Sequence, residues 1–192
     1  MYGSIVVIFA KPEVRAIKRL VCAFTGHRPK FFPWGYDESD SRCVELRKQF
    51  FQQIRCLVVH GYTDFLSGMA LGVDIWAAQA VLDLREEHPK LKLHCILPCV
   101  GQEKMWDPEI KKLYYSIIKQ ADSRVYVNRN YYKNCMLDRN RFMVDHSDLL
   151  LAVYAGISRS GTASTVDYAR NQGKEILILD PLTNNIVHED PK

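Results

Sequence analysis

The sequence predicts one α/β domain, a doubly wound and mainly parallel sheet with helices on both faces. Three observations carry that reading. Short apolar runs alternate with longer segments of helical period from Leu20 to Leu179. Those short runs are apolar at nearly every position, as strands covered on both faces are. The chain has 192 residues, 47% of them hydrophobic and 25% charged, which are ordinary globular values and exclude a disordered, collagenous or coiled-coil chain. A domain of this size buries roughly 70% of its unfolded surface, so no metal or disulfide is needed to hold it together.

Each element has its own signal. Leu20 to Thr25 reads as a buried strand stopped by Gly26. From Ser39 to His60 apolar residues recur at helical spacing (Val44, Phe50, Phe51, Ile54, Leu57, Val58), and Gly61 closes the helix. Thr63 to Ser67 is a second short strand, and Gly72 to His88 an Ala-rich helix ended by Pro89. Leu91 to Leu97 forms the third strand. Asp107-Pro108-Glu109 is a helix start, with an N-cap acid, Pro at the first position and an acid in the first turn. Ile110, Leu113, Tyr114, Ile117, Ile118 and Ala121 then make one apolar face. Arg124 to Val127 is the fourth strand, Cys135 to His146 a helix, and Asp148 to Tyr154 a fifth strand. Thr162 to Gln172 is a helix closed by Gly173, and Glu175 to Leu179 the sixth strand. Six strands interleaved with helices require parallel βαβ units, and right-handed crossovers place helices on both faces. The result is a Rossmann-like sheet over residues 20–181. Residues 1–19, with the apolar run Ser4 to Ala10, read as an extra strand or an extension ahead of it. A secretion signal needs positive charge before such a run and a small-residue cleavage site after it, but Lys11-Pro12-Glu13 follows. Residues 182–192 read as a polar, frayed tail.

Charge and cysteines narrow the function classes. With 26 basic and 22 acidic residues the net charge is +4. That permits a phosphate-bearing partner and makes nucleic acid the less favoured one. The six cysteines (22, 43, 56, 95, 99, 135) contain no CxxC and no Cys/His spacing suited to zinc, so no metal and no cofactor are expected. Cys22, Cys43, Cys56 and Cys95 lie in apolar periodic runs, which predicts buried free thiols in a reducing cytoplasm. No apolar run approaches the roughly 20 residues of a membrane span.

In such a sheet, ligands bind beyond the carboxyl ends of the strands, at the switch point. Strand one is followed by Thr25-Gly26-His27-Arg28-Pro29, strand two by Ser67-Gly68-Met69-Ala70-Leu71-Gly72-Val73-Asp74. Strand five is followed by Gly156 and then by Ser160-Gly161-Thr162 at the head of a helix. Small Gly- and hydroxyl-bearing turns let backbone N–H groups approach a phosphate, and a helix N-terminus adds positive potential. The spacing is neither GxGxxG nor GxxxxGKS. His27 and Arg28 are placed to reach the ligand, and Arg28 to pair with a phosphate or carboxylate. Asp74 either holds a ribose hydroxyl or caps its own helix. Arg139 and Arg141 are either a surface pair or ligand-facing. Asn130, Tyr131 and Tyr132 either offer a stacking surface or pack on the core. Phe31, Phe32, Pro33, Trp34 and Tyr36 form a loop too apolar for bare surface, which reads as core packing, a lid or a protein-contact patch. Asp145, His146 and Asp148 lie at the opposite end of strand five and read as structural.

Two segments resemble a known superfamily. SGMALGVD at 67–74 resembles the SGxAxGxD signature of the DNA-processing protein DprA. Residues 139–181 are similar to that family's later block of an Arg-Asn-Arg helix, an apolar strand, a Ser-Gly turn and a Thr/Ala helix. GHRP at 26–29 is closer to the YpsA-type branch. Together these resemble the SLOG superfamily, which joins DprA-like proteins to Lonely-Guy phosphoribohydrolases and leans to bacteria and their phages. The resemblance implies a Rossmann-like fold, a nucleotide or nucleotide-derived ligand, and a homodimer. By position it implies that Thr25, Gly26, Ser67, Gly68, Gly72, Ser160, Gly161 and Thr162 line the ligand, and that Arg139 is the buried or ligand-facing arginine. Lonely-Guy enzymes look like PGGxGTxxE, whose glutamate assists glycosidic cleavage. Here the matching position is Thr165 and Arg159-Ser160 replaces the double glycine. A threonine does not accept a proton near neutral pH as a carboxylate does.

Three functions follow as alternatives. The first is a sensor or regulatory module that binds a nucleotide and signals to a protein partner. The second is a nucleotide N-glycosidase with another carboxylate, Asp74 first and then Glu103 or Asp107, as its acid/base. The third is a single-stranded DNA binder, which needs a basic patch from Lys104, Arg129, Lys133 and Arg139.

Overall fold

The computed structural model describes residues 19–191. The expected element at Ser4 to Ala10 lies outside them. In chain order the elements are β1 (Leu20–Gly26), α1 (Ser41–Val59), β2 (Tyr62–Ser67), α2 (Val73–Leu84), β3 (Lys92–Leu97) and α3 (Pro108–Gln120). There follow β4 (Ser123–Tyr126), α4 (Cys135–Asp145), β5 (Leu149–Val153), α5 (Gly161–Asn171), β6 (Glu175–Leu179) and β7 (Ile186–Glu189). A single 3₁₀ turn, Pro29–Phe31, follows β1.

The strands form one sheet in the order β4-β3-β2-β1-β5-β6-β7. All neighbouring pairs are parallel except β6 and β7. The alternation of side chains along each strand splits the core into two layers. Cys22 and Phe24 of β1 and Leu149, Leu151 and Val153 of β5 meet α1, α2 and α3. Ala23 of β1 and Leu150 and Ala152 of β5 meet α4 and α5 through Met143, Val144, Val166 and Ala169. The predicted doubly wound α/β fold is the fold observed. The chain runs outward from β1 through β2 to β4, then returns to β5 on the other side of β1. The switch point is therefore the gap between β1 and β5, and the turns after both open onto it.

Two sequence expectations are corrected. The tail is not frayed throughout, because β7 pairs antiparallel with β6 from Ile176↔Glu189 to Leu179↔Ile186. A turn at Asp180–Asn185 makes the reversal, and Arg170 of α5 grips both Glu189 oxygens at 2.8 and 2.7 Å. Cys56 is exposed, whereas Cys99 and Cys135 are buried along with Cys22, Cys43 and Cys95. On α1 the inward stripe is Cys43, Leu46, Phe50, Ile54 and Leu57, which leaves Cys56 outside it. Among the described residues no group of three or more metal-ligating side chains converges. No described helix is long and apolar enough to cross a membrane.

Candidate functional site

A small polar cleft of about 110 Å³ opens at the switch point. Its walls come from β1 and its following turn, the β2–α2 turn, the first turns of α4, and the head of α5. Eight of the residues expected from sequence line it: Thr25, Gly26, Arg28, Asp74, Arg139, Ser160, Gly161 and Thr162.

The β2–α2 turn is tied to itself. Ser67 Oγ donates to the Asp74 carbonyl at 2.8 Å and accepts from Met69 N–H at 3.1 Å. Met69 is buried and left-handed (φ 55°) and Gly72 has φ 88°, so the backbone coils tightly enough to bring its amides inward. Asp74 Oδ2 accepts from Ala70 N–H at 3.2 Å and from Arg139 Nη1 at 3.4 Å. Gly68 is required by this arrangement, because a Cβ there would occupy the space of the Arg139 guanidinium. Gly26 is required too, since its Cβ would lie 2.5 Å from the Val73 side chain that opens α2.

The Asp74–Arg139 pair is buried, with side-chain exposures of 9% and 4%. Burial pushes the Asp74 carboxyl up from the ordinary carboxylate range, against the pull of Arg139, Ala70 N–H and Arg28. Burial likewise lowers Arg139, against Asp74. A guanidinium still stays charged at neutral pH. Its Nε is buried and has no hydrogen-bond partner among the described residues. Arg28 is exposed at the cleft wall and makes no ion pair among the described residues. At the head of α5, Ser160 Oγ caps Ala163 N–H at 3.0 Å and donates to Ile157 O at 3.2 Å. The N–H groups of Gly161 and Thr162 are the helix's first donors and have no partner inside it. The cleft thus combines two arginines, one carboxylate, free helix-head amides and the Thr25 hydroxyl, a set suited to an anionic oxygen group.

The other expected residues stand elsewhere. Ser67 and Gly68 shape the turn behind the cleft rather than lining it. Gly72 lines a separate apolar cavity of about 330 Å³ with Pro29, Tyr36, Leu71, Ile75 and Trp76. Gly156 is exposed in the loop before α5. His27 is 1% exposed, and Nε2 accepts from Ala155 N–H at 3.3 Å. Rings of Phe31, Phe32 and Tyr154 surround it at 5.8, 6.2 and 5.6 Å. It is therefore a strut between β1 and β5, not a cation facing ligand, because burial holds its pKa below the usual 6.5. A depressed histidine contributes stability above the unfolded pKa that is lost as pH falls through it. Stability is therefore expected to drop by no more than about 1 kcal/mol in the first pH unit below the unfolded value from this group. Urea midpoints of wild type and His27→Gln, compared on both sides of that pH, read the difference. Equal slopes in the two proteins would remove the strut assignment.

Sequence reasoning left Met136, Leu137 and Asn140 out of the site, although they line the cleft with Phe31 and Ala70. They sit ahead of a strand, where the rule of reading past each strand does not look. The helical spacing from Arg139 was the available signal. The aromatic loop divides: Phe32 and Trp34 are buried, Phe31 faces the cleft and Tyr36 the apolar cavity. Tyr131 and Tyr132 do not pack on the core but stand 72% and 41% exposed. Asp148 accepts from Val21 N–H at 3.0 Å and Asp145 from the Tyr168 hydroxyl at 2.9 Å, both far from the cleft. Glu103 accepts from the Tyr115 hydroxyl and Asp107 caps α3, so neither faces the cleft.

The family model YpsA, described as the YspA SLOG family, matches residues 22–183. The chain belongs to the SLOG family, YpsA branch. A UPF0398 protein of Bacillus velezensis is 34% identical over 137 residues, covering 70% of this chain and 74% of that one. The UPF0398 protein YpsA of Bacillus subtilis is 33% identical over the same length, covering 70% and 75%. Among solved structures, DprA of Streptococcus pneumoniae aligns with TM-score 0.55 at 17% identity, over 86% of this chain and 54% of that one. A structure of DprA from Helicobacter pylori, describing its single-stranded DNA binding mode, aligns at 0.57 and 24%, over 84% and 65%. This SLOG chain thus spans between about half and two thirds of those DprA chains, and shares their fold. Thr165 is buried. Its Oγ1 accepts from Asn140 Nδ2 at 2.7 Å and donates to Gly161 O at 2.8 Å. In this SLOG member that position ties α4 to α5.

Proposed function

We propose that the cleft binds a nucleotide or nucleotide-derived anion and that the chain acts as a sensor or regulatory binding module. The observation that carries this is Arg139, buried in the cleft wall with an Nε that has no partner among the described residues, beside exposed Arg28 and the open amides of Gly161 and Thr162. An unused buried donor is costly unless a ligand completes it. Glycosidic hydrolysis is the less supported reading. The Thr165 hydroxyl is engaged on both sides, and Asp74 is committed to Ala70 and Arg139.

A thermal-shift panel of mono-, di- and cyclic nucleotides and ADP-ribose-type compounds tests the proposal. A ligand at about 100 times its Kd adds roughly 2.7 kcal/mol, a shift of several degrees for a chain of this length. Arg28→Ala is expected to weaken the hit about 10- to 100-fold, the loss of one charge-assisted contact, with the unliganded melting temperature unchanged. Silence across the panel, or undiminished affinity in Arg28→Ala, defeats the proposal. A hit that is consumed on incubation returns the weight to an enzyme.

A second reading has one observation behind it. The segment 124–133 carries Arg124, Arg129 and Lys133 with Tyr126, Tyr131 and Tyr132, and all three tyrosines are at least 40% exposed. Aromatics interleaved with cations are a stacking platform for single-stranded DNA. Arg139 is buried and contributes nothing to such a surface. Binding of an oligonucleotide that falls steeply with salt and is lost in Tyr131→Ala supports this reading, and no binding at low salt removes it.

A further inference from the structure

Three polar side chains from neighbouring strands form a hydrogen-bonded row across the sheet. In the parallel register His94 of β3 lies beside Ser123 of β4 and Leu66 of β2, and Asp64 stands two positions before Leu66. Alternation along the strands puts all three on the face that carries Leu66 and Ile96. Asp64 Oδ1 lies 2.9 Å from His94 Nε2, and Ser123 Oγ lies 2.7 Å from His94 Nδ1. The Thr63 hydroxyl donates to Asp64 Oδ2 at 2.8 Å. Against the upward push of burial, hydrogen bonds from His94 and Thr63 hold the Asp64 carboxyl below its usual range, so it is ionised at neutral pH. A carboxylate only accepts, so Nε2 carries the imidazole proton. Nδ1 is left as an acceptor, and the Ser123 hydroxyl donates to it. The row is open to solvent. β4 is an edge strand, Ser123 is half-buried at its start, and the His94 side chain is 22% exposed. All three residues lie in the first half of their strands, apart from the cleft beyond the carboxyl ends.

We propose that Ser123 is an acylation site, in which His94 activates the serine toward a small activated ester and Asp64 holds the imidazole in place. A nucleophile bonded to a base that is itself oriented by a third group is the arrangement such chemistry needs. Ser123 Oγ attacks the acyl carbon of RCO–OR′ while His94 Nδ1 takes the hydroxyl proton. The tetrahedral adduct collapses, the bond from the acyl carbon to OR′ breaks, and R′O⁻ leaves with the proton returned from Nδ1. The products are the acyl-serine ester and R′OH, with His94 neutral again. Asp64 stabilises the imidazolium that forms in between, and Thr63 steadies the carboxylate. Because the three residues sit on paired strands, backbone register rather than a loop holds the reacting atoms together. Val125, two residues on from Ser123 on the same face and 36% exposed, offers an apolar contact to a short acyl chain. The reaction does not depend on what the cleft binds.

The test mixes the full-length chain with p-nitrophenyl acetate, follows release of p-nitrophenolate and maps every acetylated side chain by mass spectrometry. Lysines and exposed Cys56 also react, so each position is followed separately. Ser39 is the internal reference, an exposed serine whose hydroxyl donates to the Asp37 carboxylate at 2.6 Å rather than to an imidazole. Ser123 is expected to be acetylated about 10²–10⁴-fold faster than Ser39, the usual worth of a positioned general base. His94→Gln should remove that advantage, and Ser123→Ala should remove the acetyl group with its share of the p-nitrophenolate. Asp64→Asn should slow the reaction too, because an amide no longer fixes the tautomer that leaves Nδ1 free. The comparison with Ser39 is made in the unaltered chain, so it decides the matter even where a variant fails to fold. The proposal is overturned if Ser123 is acetylated no faster than Ser39. It is equally overturned if folded His94→Gln protein acetylates Ser123 at the native rate, which is the behaviour of a row that only ties strands together.

Discussion

Replacing Arg139 with methionine is expected to cost about 3–5 kcal/mol of stability, the loss seen when one partner of a buried ion pair is removed. The guanidinium is enclosed, its Nη1 lies 3.4 Å from Asp74 Oδ2, and Arg28 adds a second favourable charge to that carboxylate. For a chain of this length the melting temperature should fall by on the order of 10 °C. The pH dependence follows from the sign of the Asp74 shift. Burial already raises this carboxyl, and loss of Arg139 raises it further, so protonation relieves the uncompensated charge. A raised native pKa gives stability at low pH that is lost as pH rises through it. The deficit of Arg139→Met should therefore be larger at about pH 8 than at about pH 5. Urea unfolding at both pH values measures it. The double variant Arg139→Met/Asp74→Leu should recover most of the loss. A single-variant cost below about 1 kcal/mol, or a double variant no better than the single, would show that the pair is not coupled.

Trp34→Ala carries the second large effect. Trp34 is 8% exposed, stacks on Phe32 at 5.0 Å with the rings 8° from parallel, and lies beneath the Arg42 guanidinium at 5.6 Å. Phe32 in turn stacks on Trp76 of α2 at 5.8 Å. Truncation removes a buried indole and leaves a cavity under the 3₁₀ turn, at about 3–5 kcal/mol. Calorimetry without ligand should show a fall on the order of 10 °C. An unchanged melting temperature together with weakened ligand binding would return the loop to the role of a lid.

What could be read from the sequence was whatever is local. β1 and β5 announce themselves as unbroken apolar runs because helices cover both sides of the sheet. Asp107-Pro108-Glu109 gave the start of α3 because capping is a contact within one turn. The turns after β1, β2 and β5 were found because parallel topology forces them to one edge. What failed was long-range. His27 follows β1 as directly as Arg28 does, and only packing against Phe32 and Tyr154 turns it inward. Met136 and Asn140 precede β5 and reach the cleft only because α4 crosses back over β1 and β3. β7 is four residues long and mostly exposed, so it has no apolar run. Its order comes from Glu189 meeting Arg170, nineteen positions away. The tyrosines at 131 and 132 resemble core residues in composition, and nothing local reveals that no element covers them.

The self-tied β2–α2 turn also bears on how such a chain can vary over generations. Gly68 is small because Arg139 fills the space beside it, Arg139 is tolerable because Asp74 faces it, and Asp74 is held by Ala70 and, through its carbonyl, by Ser67. Changing any one member first strands the others: a side chain at 68 collides, and a lone charge at 74 or 139 is left buried. Contacting residues of this kind are not independent in their effects. Drift through single steps is therefore blocked, and positions 68, 74 and 139 should change together or not at all. A relative with a bulkier residue at the position of Gly68 should lack the arginine corresponding to Arg139, and with it the means of holding an anion there.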